Sequence, residues 1–185
     1  MTNNMDLRVE HVTRKSKDKQ KIKEIYTSSF IKEDRMPFWL MLIMAKMKNT
    51  EFISFHDKNI LCGFVYMATI KDLTFVMFLA VDKNIQSRGY GSCILDKIQS
   101  MHTDNKIIIS IEGCDEEIKD IDHTIRRKKF YINNGYVETG YLVELKNKKQ
   151  ELLIKNGEFD EDEFSLFFKT YSNGTMKPKL WKVPY

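Results

Sequence analysis

The chain has 185 residues, 42% hydrophobic and 30% charged, with only 8 Gly and 3 Pro, which suits one globular domain and argues against disordered and fibrous classes. Its formal charge of +4 tolerates a phosphate-bearing ligand without demanding a polyanionic partner, so no nucleic acid is expected. Three separated cysteines, Cys62, Cys93 and Cys114, with no CxxC pair and no histidine at zinc-like spacing, argue against a disulfide framework and a structural metal.

The opening MTNNMDLRVEH has no apolar run of the kind a signal peptide needs. The longest apolar run, Phe38 to Ala45, is far short of the roughly 20 residues that span a bilayer. A reduced, cytoplasmic protein with no membrane partner is the expectation. Nothing in the sequence fixes the oligomeric state, and a homodimer stays open.

Residues 7–13 alternate apolar and polar side chains, as a strand does. Residues 18–30 place Ile22, Ile25, Tyr26 and Ser29 at helical spacing. Met36-Pro37 interrupts, and Pro37 is placed to open an apolar helix reaching about Lys48. Residues 52–55 and 60–68 read as strands around a polar turn, His56-Asp57-Lys58-Asn59. Residues 73–81 are apolar throughout except near the start, as in a central strand covered on both faces. A break of charged and small residues leads to a helix over 91–101, with Ile94, Leu95, Ile98 and Met101 on one stripe, and then to a short apolar strand over 107–111. Strand, turn, helix, strand is a βαβ unit, which implies parallel strands and a right-handed crossover.

A charged helix then ends in FYINNGY, where Gly135 suits the left-handed residue after the last turn. Residues 137–145 and 150–155 read as a hairpin joined by Lys146-Asn147-Lys148-Lys149. Asp160 and Glu163 form a capping box for a helix over about 161–171, whose buried stripe is Phe164, Phe167, Phe168 and Tyr171. Asn173-Gly174 stops that helix, and the tail 175–185 shows no period. The expected architecture is a single domain over 1–185, mixed α/β, with a sheet of about six or seven strands and helices on both faces.

The break after residue 81 carries Gln86-Ser87-Arg88-Gly89-Tyr90-Gly91 directly into a helix N-terminus. Such an end exposes unpaired N–H groups and partial positive charge, which together make an anion site. Gly89 and Gly91 let the main chain close on a ligand, and Arg88 adds a fixed charge, so a phosphate or a bridging pyrophosphate is the fitting guest. The hexapeptide is neither GxGxxG nor a Walker loop. A tight strand-to-helix turn with a surface arginine reads the same six residues equally well.

FLAVDKNIQSRGYGSCIL resembles the acetyl-CoA-binding segment of the GCN5-related N-acetyltransferase (GNAT) superfamily: an apolar strand, Q/R-x-x-G-x-G/A, and an apolar helix. The strand over 107–112 follows at the family's distance, and FYINNGY resembles its F/L-Y-x-x-x-G-F/Y. FIKEDRMPFWLM resembles a F-x-x-E-R-x-P-F-W segment of one bacterial branch, although Glu33-Asp34-Arg35 displaces the Glu-Arg pair by one residue. The resemblance covers roughly 7–155. It implies a mostly antiparallel sheet with one parallel pair, acetyl-CoA as co-substrate, no metal, and a small-molecule or peptide amine as acceptor.

Acetyl transfer from a thioester to an amine needs a deprotonated amine, donors for the oxyanion, and a proton for the departing thiolate. The resemblance assigns that last proton to Tyr131, whereas the residues alone allow it simply to pack beside Phe130. Glu112 closes a strand at the rim where α/β proteins bind ligands, and reads either as the base or as a carboxylate paired with Arg126 or Arg127. The resemblance also implies that Leu79, Ala80 and Val81 offer backbone groups to the pantetheine amides, that Gln86, Ser87, Arg88, Gly89, Tyr90, Gly91 and Ser92 hold the pyrophosphate, and that Thr124 stands where many members carry an Asn touching the pantetheine arm. Glu33 reads as an attractor of a cationic acceptor or as a solvated loop residue. Phe38 and Trp39 read as pocket lining or as buried helix face. The basic run Arg126-Arg127-Lys128-Lys129 follows Glu116, Glu117, Asp120 and Asp122, which suits a charge-balanced exposed helix. The competing expectation is a non-catalytic acyl-CoA-binding module, and a covalent acetyl-cysteine route lacks a base for any Cys.

Overall fold

The computed structural model describes residues 6–112, 121–145 and 147–183. They gather into two compact units, one holding residues up to 68 and 76–103, the other 69–75 and residues from 104 onward.

The first unit contains β1 (Arg8–His11), α1 (Lys19–Ser29), α2 (Phe38–Met44), β2 (Thr50–Asp57), most of β3 (Ile60–Ile70), the second half of β4 (Leu73–Val81) and α3 (Tyr90–Met101). β1 and β3 flank β2 antiparallel, with Val9 opposite Phe55 and Phe52 opposite Tyr66. The alternation of side chains across the pleat sends Phe52, Phe64, Tyr66 and Phe78 into one core with Tyr26 and Ile22 of α1. Tyr26 stands edge-on to Phe78 at 5.1 Å between ring centroids, in the geometry that aromatic quadrupoles favour.

The expected turn over 56–59 is shorter than its composition suggested. His56 and Asp57 belong to β2, and only Lys58 and Asn59 turn the chain, Lys58 at φ 53°. Both polar side chains have tertiary partners: His56 Nε2 meets Asp18 Oδ2 at 3.1 Å, and Asp57 accepts from a tyrosine of α3. α2 also departs from expectation. Pro37 sits outside it as the cap residue, at φ −53° and ψ 125°, and the helix ends at Met44 rather than near Lys48. Turn bonds from Met47 N–H to Met44 O (2.8 Å) and Thr50 N–H to Met47 O (3.1 Å) bend the chain into β2 instead.

The second unit contains the first half of β4, β5 (Lys106–Glu112), α4 (Ile121–Asn133), β6 (Val137–Leu145), β7 (Lys148–Lys155), α5 (Glu161–Tyr171) and β8 (Lys179–Lys182). Its core is the α5 stripe Phe164, Phe167 and Phe168 against Phe75 of β4, with Phe168 5.3 Å from Phe75. Gly135, at φ 85°, follows α4 in the left-handed conformation its position required. Lys148 and Lys149, expected in the connection, belong to β7 instead, where Lys148 pairs with Leu145 and Lys149 with Glu144. The capping box is half made: Asp160 Oδ1 accepts from Glu163 N–H at 2.8 Å, while the Glu163 carboxylate binds Lys106 Nζ at 2.6 Å.

The fold is mixed α/β with a mostly antiparallel sheet and a parallel β4–β5 pair. Among the described residues the hydrogen-bonded strand order is β1-β2-β3-β4-β5-β7-β6-β8, eight strands where six or seven were expected. The additional one is β8, from the tail that showed no period. It pairs antiparallel with β6, Trp181 opposite Leu142. Among the described residues no helix is long and apolar enough to cross a membrane.

Candidate functional site

In the first unit β4 runs into Asp82, a short 3-10 turn over Lys83–Ile85, and then residues 86–89. Asp82 organises this exit. Its Oδ1 accepts from Asn84 N–H at 3.0 Å and Asn84 Nδ2 at 2.9 Å, its Oδ2 pairs with Lys21 Nζ at 3.0 Å, and its own N–H donates to Cys62 O at 2.8 Å. Burial pushes the Asp82 carboxyl up, but the Asn84 hydrogen bonds and the Lys21 charge outweigh it and leave it below the usual carboxylate range.

Ser87 (φ 64°) and Gly89 (φ 87°) are both left-handed, and Gly89 is the cap residue of α3. No side chain caps the helix. Cys93 N–H closes the first turn on Gly89 O at 3.1 Å, so the N–H groups of Tyr90, Gly91 and Ser92 precede the first intrahelical bond. Gln86, Ser87, Arg88 and Gly89 are exposed. An accessible helix start with free N–H groups and left-handed residues just before it is the concave donor arrangement that suits a phosphate group.

Tyr90 was expected to meet the ligand; its side chain instead points inward. The ring is 8% exposed and its hydroxyl donates to Asp57 Oδ2 at 2.8 Å, which raises the phenol above its ordinary value. Only its backbone is offered at the turn. Of the β4 residues, Ala80 is buried, whereas Leu79 and Val81 are half-buried. Val81 O accepts the Gln86 side-chain amide at 3.3 Å. Ala80 O lies so close to Gly63 that a Cβ there would stand 2.3 Å from it, so β3 needs glycine at this rung.

Also in this unit, Glu33 is exposed on the one-turn 3-10 helix Lys32–Asp34. Arg35 is structural: its guanidinium donates to Phe30 O and Thr27 O, both at 2.7 Å, closing the end of α1. Phe38 packs into the core, 5.8 Å from Phe52 and 6.2 Å from Tyr26, whereas Trp39 is 61% exposed.

In the second unit Tyr131 lies on α4, 4% exposed, edge-on to Phe130 at 5.1 Å and to Tyr136 at 5.6 Å. The packing beside Phe130 is therefore real. The Tyr131 hydroxyl has no hydrogen-bond partner among the described residues. Burial, with Tyr131 close by, raises the Tyr136 phenol far above its ordinary value. Thr124 is buried on the same helix. Glu112 is exposed at the end of β5 opposite Gln150, and among the described residues it pairs with neither Arg126 nor Arg127.

Within the basic run on α4, Lys128 has carboxylate partners from β6 and β7. Lys128 binds Glu138 and, at 2.7 Å, Glu151; burial lowers its pKa, and these carboxylates more than reverse that, holding it above its ordinary value. Cys114, Glu116, Glu117 and Asp120 lie outside the described residues. Among the described residues no three His, Cys, Asp or Glu side chains gather as metal ligands would.

Sequence reasoning missed Asp57, Asp82, Gly63 and Lys21 as the supports of the turn. Asp82 had a local signal, since Asp followed two residues later by Asn suits a side-chain-closed turn. Asp57 had none, standing 33 residues from the tyrosine it binds.

No family model matches the sequence, and no curated protein does. Solved structures do match in fold. An acetyltransferase of the GNAT family from Bacteroides thetaiotaomicron superposes with a TM-score of 0.70 at 17% identity, over 91% of this chain and 99% of that one. An aminoglycoside 6'-N-acetyltransferase complexed with coenzyme A gives a TM-score of 0.62 at 13% identity, over 83% of this chain and 99% of its own. Spermidine N-acetyltransferase from Vibrio cholerae gives 0.61 at 13% identity, over 82% and 94%.

Proposed function

We propose that this chain, which has the fold of the GNAT acetyltransferases, is itself a single-domain N-acetyltransferase that moves an acetyl group from acetyl-CoA to a primary amine by direct attack. The observation that carries the reading is the uncapped start of α3, with Ser87 and Gly89 left-handed and exposed before it. A folded protein leaves such donors unpaired at little cost only where water or an anion reaches them.

Bound acetyl-CoA would supply the activated acetyl thioester. In this reading the N–H groups of residues 87–92 and the Arg88 guanidinium hold its pyrophosphate. Leu79, Ala80 and Val81 offer backbone groups along the pantetheine arm, and Thr124 lies beside that arm. Tyr131 hands its phenolic proton to the departing sulfur. Glu112, exposed and without an ion-pair partner among the described residues, takes the proton from the amine. Glu33 draws a cationic acceptor, and Phe38 supports the acceptor side from its place in the core. Aminoglycoside and spermidine are the acceptors named for two proteins of the same fold, and both are polyamines, which fits an acidic acceptor site.

The test is thermal unfolding with acetyl-CoA, CoA, dephospho-CoA and ATP, on wild type, Gly89→Asp and Arg88→Glu. A ligand at about 100 times its Kd adds roughly 2.7 kcal/mol to a native state that alone binds it. Acetyl-CoA and CoA should stabilise the wild type, and both variants should lose the shift. No shift at saturating acetyl-CoA in the wild type refutes the reading. Tyr131→Phe then separates enzyme from binding module. The enzyme should lose about 100-fold or more in kcat with acetyl-CoA affinity kept, the scale of general-acid catalysis. A pure binding module should be unchanged by the substitution.

A further inference from the structure

We propose that the first unit holds a second binding site, for a compact organic carboxylate with an acid head group on an apolar body. A cavity of about 480 Å³ opens between the end of β1 and the end of α2. That volume lies within the range of roughly 300–1,000 Å³ typical of small-molecule sites. None of residues 79–92 lines it, so the proposal stands apart from the acetyl-CoA reading.

The cavity has two kinds of wall. Its floor is apolar, made by Val12, Leu42 and Phe52, all buried in the core. Its rim carries His11, Arg14, Lys15 and Lys46, and among the described residues no carboxylate lines it. Of the neighbouring acids, Glu10 pairs with Arg8, and Glu51 Oε2 lies 2.8 Å from His102 Nε2. Among the described residues Arg14, Lys15 and Lys46 have no ion-pair partner. Three cations around an apolar hollow, with no anion among the described residues to meet them, leave a charge that a ligand can complete.

The loop bearing two of these cations is also held in place. Thr13 N–H donates to Ser16 Oγ at 2.8 Å, Ser16 Oγ donates to His11 O at 3.3 Å, and Lys15 N–H donates to Thr13 Oγ1 at 3.2 Å. Lys19 Nζ donates to Arg14 O at 3.0 Å. These bonds fix the backbone without neutralising the charges, so a ligand meets a partly preorganised rim and less ordering entropy opposes binding. The chemistry selects its guest. An inorganic anion would lose hydration against Leu42 and Phe52 without compensation, an amine would be repelled by the rim, and a neutral apolar molecule would leave the cations unused.

The experiment uses the full chain and three probes: octanoate, 1-octanol and inorganic phosphate, titrated by calorimetry, with backbone amide shifts of Val12, Lys15 and Ala45 followed by NMR. Octanoate should saturate one site, move those amides, and weaken as salt rises. Octanol should bind about tenfold or more weakly, the scale of a lost charge-assisted hydrogen bond, and phosphate should not compete. Arg14→Glu/Lys46→Glu, at two exposed positions, should weaken octanoate by at least about tenfold while keeping the melting temperature. If that pair unfolds early, Arg14→Gln/Lys46→Gln makes the same comparison. Octanol or phosphate binding as well as octanoate, full affinity in the folded double variant, or no saturable octanoate binding would each overturn the proposal.

Discussion

Tyr90 and Asp82 do their work away from the surface of the glycine turn. The Tyr90 hydroxyl ties the first residue of α3 to the end of β2, and Asp82 ties the end of β4 to α1 and to the turn itself. Tyr90→Phe removes one hydrogen bond to a carboxylate and should cost about 1–3 kcal/mol in urea unfolding. In the proposed enzyme it should also raise KM for acetyl-CoA more than it lowers kcat, since it loosens the turn and not the chemistry. Asp82 makes a pH prediction. Its folded pKa lies below its unfolded value of about 3.9, so its contribution is present above that pH and is lost as pH falls through the folded pKa. The stability gap between wild type and Asp82→Asn, measured by urea unfolding, should therefore be open at neutral pH and close below about pH 4. A gap independent of pH would show that the carboxylate charge is not what holds the turn.

At the scale of elements, local signals did best where one side chain governs one backbone group. Asp160 was legible as a cap because its oxygen needs only the N–H three residues on. The other half of that box failed because Glu163 found Lys106, 57 residues away in sequence. The two residues should separate in experiment. Asp160→Ala should cost about 1 kcal/mol, with little dependence on salt. Glu163→Gln should cost no more than about 1 kcal/mol and should lose that effect in high salt, because the pair is partly solvated. Equal salt dependence in the two variants would contradict this division. The β2–β3 turn teaches the same lesson in reverse. His-Asp-Lys-Asn is a turn by composition, yet His56 and Asp57 stay in the strand because Asp18 and Tyr90 supply partners that composition does not reveal.

For the whole molecule, the informative strand is β8. It closes the β6 edge, and its pairing residues Leu180 and Trp181 are only half-buried. Deleting residues 176–185 should leave the Phe75–Phe168 cluster intact but expose the β6 backbone to other chains. The expected outcome is a folded protein of lower urea midpoint that self-associates with rising concentration in light scattering. An unchanged midpoint and a monodisperse sample would mean that β8 contributes nothing to the sheet edge.

Periodicity, caps and the glycine turn were determined by the sequence alone. Among the described residues, seven of the strands, the five helices, the phenylalanine stripe of α5 and the glycine turn before α3 are each written within about a dozen neighbouring residues, where side-chain spacing and backbone preference act directly. Tertiary structure decided the eighth strand, the inward turn of Tyr90, the burial of His56, the role of Asp57 and the glycine that β3 requires beneath Ala80. Each of these depends on a partner far along the chain. A hydrogen bond or a close backbone approach between distant segments exists only once the chain has folded, so no local pattern records it.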